Sequence, residues 1–181
     1  NPATGAALRP LDNVGVQYGL EALNSGAITV SQFLDLNENI GGHDVEGNFQ
    51  ASRSIADFRA LEAAYRTGRV TNGGGGLARI PILDSRGYLD MRPNGDLHLK
   101  YHSFAFRARL QRANGTTANQ VLLVTGEKAP PGFDGYTISA MDEWLTNLAG
   151  DKSNDPAMAK IARARPDHLL DSCYDSTGER I

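Results

Sequence analysis

The chain of 181 residues contains one cysteine, Cys173, so no disulfide can form within it. The thiol is expected either to be buried in the fold or to bridge to another polypeptide segment. Long apolar runs are also missing, and nothing approaches the roughly 20 residues that a membrane-spanning helix needs. The start at Asn1 shows neither a basic nor an apolar leader, so the expectation is a soluble chain whose signal peptide, if any, is already gone. Neither sign of charge prevails: 18 Lys and Arg stand against 21 Asp and Glu, with no basic tract or acidic tail. That balance argues against nucleic acid and anionic membrane as partners. A G-x-S-x-G nucleophile elbow is absent too.

What is present suffices for a folded core, since 40% of the residues are hydrophobic. Up to residue 70 the pattern is helical. Asp12 is placed to cap a helix through about Leu23, and Ser31 one that carries Phe33, Leu34 and Ile40 into Gly41 and Gly42. Between Ser54 and Thr67, Ile55, Phe58, Leu61, Ala64 and Tyr65 recur at helical spacing until Gly68. The glycines of TNGGGG, Thr71 to Gly76, then mark a bent or flexible boundary.

Beyond that boundary the order changes to strand, helix, strand, helix. LARIPIL from Leu77 reads as a strand, Asp96 caps a helix from Leu97 to Ala113, and Gln120 to Thr125 forms an apolar strand suited to burial on both faces. Ser139 and Asp142 fit a capping box for a helix with Met141, Trp144, Leu145 and Leu148, and Asp155 with Pro156 starts a last helix that Pro166 ends. Such alternation implies an α/β fold with a parallel sheet. Two strands are too few for a doubly covered sheet, so further strands must come from elsewhere.

The segment Pro81 to Pro93, PILDSRGYLDMRP, is the most informative in the chain. Its Pro81, Leu83, Gly87, Asp90 and Pro93 stand at the spacing of the acid-bearing strand of an α/β-hydrolase. Leu77 to Gly150 accordingly resembles the last two strand and helix units of that fold, in its secreted tannase and feruloyl-esterase-like branch. The resemblance implies residues 1–70 as a helical lid or cap, 71–150 as the last β-α-β-α units of the core, and 151–181 as a C-terminal helix and tail. It implies an extracellular or periplasmic hydrolase that cleaves carboxylic esters by serine acyl transfer, Asp90 being the triad acid. No cofactor and no metal is called for. Asp84, directly at the strand end, competes with Asp90 for the role.

The chain departs from that family's pattern in two places. Gly126 to Thr137 contains no histidine, and the nucleophile is absent. A second polypeptide segment is therefore expected to carry the rest of the sheet and the serine, with a small or polymeric ester as substrate. The alternative is a non-catalytic scaffold or interaction subunit that keeps the fold.

A rebuilt catalytic set would draw on His98 and His102, four residues apart on one face of a helix, as base or as structural groups. They lack the Glu of an H-E-x-x-H zinc site and a third ligand. Ser103 sits mid-helix and Ser85 lacks elbow glycines, so neither is read as a nucleophile. Asn13, Gln17 and Tyr18 are candidates for lining a substrate pocket, and Arg107, Arg109 and Arg112 read as a solvated helix face. Asp35, Asn37, Asn39 and Glu46 fall at EF-hand ligand spacing, but Ile40 occupies the place that needs glycine. A helix end and a polar loop are expected there.

Overall fold

The glycines decide where several elements begin. Gly15 and Gly19 both take positive φ, 82° and 78°, and interrupt the run that Asp12 was expected to cap. Helix α1 is therefore short, Leu20–Asn24, and starts from Gly19. The computed structural model describes every residue except Asn94 and Ser176. It divides the chain into two compact units, residues 1–70 and 71–181.

In the first unit α2 spans Val30–Asn39. Thr29 rather than Ser31 caps it, through a capping box in which the Thr29 hydroxyl accepts from the Gln32 N–H and the Gln32 side chain accepts from the Thr29 N–H. The polar stretch that follows is an antiparallel hairpin of β1, Gly42–His43, and β2, Phe49–Gln50. Its turn is held by Asp44, whose carboxylate accepts from the Glu46 and Asn48 amides. Helix α3, Phe58–Arg66, starts at Asp57, which accepts from the Ala60 N–H, three residues later than the periodicity predicts.

The second unit opens on the glycine run, which is a defined packing element. Gly73, at φ 81°, lies so close to the helix that carries Arg109 and Leu110 that a Cβ would come within 2.5 Å of their backbone. A 3₁₀ turn at Gly75–Arg79 follows and takes up the start of the expected strand. Two side-chain bonds explain the shift: Asn119 Nδ2 donates to the carbonyls of Leu77 and Ile80, at 2.7 and 2.9 Å. Pro81 then has no N–H to give. The ladder of β3, Ile82–Gly87, thus begins with Ile82 donating to the Asn119 carbonyl.

Helix α4 is Tyr101–Asn114, β4 is Gln120–Thr125 and α5 is Phe133–Gly150. α5 begins six residues before Ser139, from Gly132 at φ 80°, so no capping box at Ser139 is formed. α6, Ala157–Ala164, follows Pro156, and β5, Ser172–Cys173, pairs parallel to β4. The sheet order is β3-β4-β5, all parallel, in a mixed α/β unit. The tail thus supplies a third strand that neither propensity nor length announces. Cys173, expected to be buried or bridged, is a free, exposed thiol on it.

Strand alternation sends Leu83, Val121 and Leu123 to one face, where they meet Phe133, Ala140 and Trp144 of α5, Ile161 and Ala164 of α6, and Leu169. Trp144 is fully buried and donates its indole N–H to the Ile161 carbonyl at 2.9 Å, locking α6 to α5. Among the described residues no helix is long and apolar enough to cross a membrane. Trp144→Ala removes both packing and that bond. It is expected to destabilise the second unit by about 3–5 kcal/mol in urea unfolding followed by far-UV circular dichroism.

Candidate functional site

The other face of the sheet is polar. Asp84 and Arg86 of β3 and Gln120 of β4 point toward α4, because residues paired in register share a face. Ser103 of α4, almost fully buried, donates its hydroxyl to Asp84 Oδ1 at 3.0 Å and accepts from Arg86 Nε at 2.8 Å. Gln120 Nε2 donates to Asp84 Oδ2 at 3.2 Å, and its Oε1 accepts from Arg107 Nε at 2.9 Å. Both carboxylate oxygens of Asp84 are occupied. Arg107, read from sequence as part of a solvated face, instead crosses the layer to Asp171.

Asp171 closes the sheet as well as the network. Its Oδ1 accepts the Leu122 N–H at 2.8 Å, standing in for a ladder bond one residue before β5 begins. Burial alone would raise its pKa. The Arg107 guanidinium and the Leu122 amide outweigh that and hold the carboxyl below its ordinary value.

Asp90 lies beyond the carboxyl end of β3, where ligands of open α/β sheets gather. The loop that carries it is anchored by Lys100, ten residues on. Asp90 Oδ1 accepts the Lys100 backbone N–H at 3.0 Å, and the Lys100 ammonium stands 3.5 Å from Oδ2. That ammonium also lies 4.4 Å from the centre of the Tyr88 ring and 3.3 Å from its hydroxyl. The Tyr88 hydroxyl first, and Asp90 after it, raise the Lys100 pKa. Arg92 clasps the loop to the one after β4, binding Asp96 at 2.6 Å and Glu127 at 2.9 Å. The two loops run side by side at Gly87, where a Cβ would lie in ordinary contact, 3.4 Å, with the Gly126 and Glu127 carbonyls.

The two histidines do not share a helical face. Asp96 turns back to accept the His98 N–H at 2.7 Å, so α4 starts only at Tyr101 and His98 lies in the loop. His98 Nδ1 is 2.8 Å from Asp96 Oδ1, and His102 Nε2 is 3.0 Å from the Leu97 carbonyl. Among the described residues neither is hydrogen-bonded to Asp90.

Sequence reasoning missed a depression of about 380 Å³ at the same end of the sheet, lined by Phe133, Tyr136, His168 and Tyr174 beside Pro130 and Pro131. Burial, reinforced by the neighbouring Tyr174, pushes the Tyr136 phenol up to about 12 against an opposing pull from Arg180. The signal was the aromatic pair in PPGFDGY, which turn propensity alone assigns to a loop.

In the first unit Asn13 donates to the Gly41 carbonyl at 2.9 Å and to the Tyr18 hydroxyl at 3.3 Å, and accepts the Ser54 N–H at 2.8 Å. Its amide is thus a tertiary staple rather than a helix cap. Asn13 and Tyr18 line one cleft of about 410 Å³ with Arg9, Asp12, His43 and Ser54. Gln17 lines a second depression beside Leu20 and Glu21, and Tyr18 borders both, so Tyr18 adjoins each of the other two candidates while Asn13 and Gln17 line different hollows.

The Asp171 carboxylate yields a pH prediction. A pKa lowered in the folded state gives stability that is fully present above the unfolded value of about 3.9 and is lost as pH falls through the folded one. Asp171→Asn is expected to cost about 1 kcal/mol at pH 7, after allowance for its exposure. In urea titrations the gap from wild type should narrow below about pH 4.

A family model described as "Tannase-like family of unknown function (DUF6351)" matches residues 1–181. No curated protein and no solved structure matches the chain. With its full length matched, the chain belongs to this tannase-like family.

Proposed function

We propose that this chain is the acid-bearing portion of a carboxylic ester hydrolase that works by serine acyl transfer. The observation that carries the proposal is the contrast between two carboxylates. Asp84 is consumed inside the sheet, with Ser103 on one oxygen and Gln120 on the other. Asp90 stands past the strand end, fixed through Oδ1 by the Lys100 amide. Its Oδ2 pairs only with the Lys100 ammonium, at 3.5 Å, among the described residues, which leaves that oxygen a lone pair for an imidazole N–H.

In the proposed reaction a serine Oγ from another segment attacks the ester carbonyl carbon while a histidine takes its proton. Asp90 holds that histidine in one tautomer and stabilises the imidazolium. Collapse of the tetrahedral intermediate returns the proton to the departing alcohol, and water then releases the acid from the acyl-enzyme. Tannase-like membership supports the ester as substrate class. In the same proposal residues 1–70 are the lid or cap segment, and the protein is secreted.

The native assembly, purified through this chain, should label with a fluorophosphonate and hydrolyse p-nitrophenyl acetate. Asp90→Asn is expected to lower turnover by about 10⁴-fold, as loss of a triad acid does. Asp84→Asn should change melting temperature more than turnover. A folded assembly that takes no label would establish the scaffold alternative, and full activity in Asp90→Asn would remove the acid assignment.

A further inference from the structure

Strand β3 is an edge of the order β3-β4-β5. Ile82 N–H donates to the Asn119 carbonyl and Tyr88 N–H to the Thr125 carbonyl, so the even-numbered residues turn their backbone groups toward β4. Leu83, Ser85 and Gly87 turn theirs outward, and among the described residues these amides and carbonyls have no hydrogen-bond partner. Native edges are usually blunted by proline, lysine, a bulge or shortness. β3 has six residues in unbroken register without proline or lysine among them, the nearest proline being Pro81 just before its first residue.

The two faces beside this edge specify what would cover it. On the α5 side Leu83 opens into a depression of about 410 Å³ with Ile138, Met141 and Leu145, which recur at helical spacing. Ile138 is 70% exposed and Leu145 48%. On the α4 side Arg86 spends Nε on the Ser103 hydroxyl, while its terminal amino groups have no acceptor among the described residues.

We propose that the β3 edge is the seam at which a parallel strand of another segment joins this sheet, with apolar side chains over the α5 stripe and a carboxylate opposite Arg86. Identifying that segment as the one carrying the nucleophile rests on the esterase proposal; the seam itself does not. Parallel addition follows from the sheet, whose pairs are all parallel and whose two faces both carry helices. The opposite edge is a poorer seam, because β5 has two residues and Tyr174 beyond it bridges back to Arg180.

Hydrogen exchange read by mass spectrometry over residues 82–88 tests the seam, in the native assembly and in the chain alone. Exchange about 100-fold slower in the assembly is expected. Ser85→Pro should abolish that protection without unfolding the unit, because proline is tolerated where an edge N–H faces outward. Ile138→Asp with Leu145→Asp should abolish it independently, through the helix surface. Equal, fast exchange in both samples would overturn the proposal. So would protection in the chain alone accompanied by twice its mass in sedimentation, which would show a second copy on the edge. Protection in an assembly that takes no fluorophosphonate would keep the seam and dismiss the esterase.

Discussion

Strand β4 is bonded on both edges and covered on both faces, and that enclosure sorts every other group in residues 71–181. Its odd residues Val121 and Leu123 must meet apolar partners, and the Trp144 cluster supplies them. Its even residues face α4, where Gln120 is buried and bonded at both ends of its amide. A slip of one residue would exchange the faces and drive Asp84 and Gln120 against Trp144. Burying those groups without partners costs more than any local preference could return. Register is therefore fixed by what each face refuses as much as by what it attracts.

The same enclosure separates structural charges from available ones. Arg107, Asp171, Gln120, Asp84 and Ser103 bond one another between sheet and helix, Arg86 joins them through Nε alone, and Asp171 also completes the ladder at Leu122. A carboxylate so committed is a poor partner for an incoming imidazole, since accepting a new bond means surrendering one already made. The carboxylate not consumed in this way, Asp90, lies past the strand end, where loops can differ without disturbing the layers.

Much of this was legible in the residues. The unbroken run QVLLVT gave the central strand to the residue, whereas LARIPIL placed the other strand too early, with Asp84 at its end instead of inside Ile82–Gly87. What escaped depended on contacts distant in sequence. The start of β3 was misplaced because Asn119 ties up the backbone before it, and that bond spans about 40 residues. His98 left its helix because Asp96, a good helix cap by type, bonds a turn instead. β5 has two residues, too few for any periodicity, and exists only because β4 offers an edge. Asn13, Gln17 and Tyr18 are not aligned on one helix, because glycines at 15 and 19 interrupt the expected run.

The triad acid proposed at Asp90 would have to be rigid relative to the base it serves, and the rigidity of this carboxylate has a local source. Asp90 is held by a backbone amide of its own loop, and Arg92 ties that loop to Glu127 beyond β4. The two chains already run side by side at Gly87, next to Gly126 and Glu127. All of these groups belong to β3, β4 and the loops that leave them, the most extensively paired part of the sheet. The position of the acid is therefore set before any strand joins the open edge. A segment docking there would meet a preorganised carboxylate, and the ordering cost of the acid loop would not fall on the docking step.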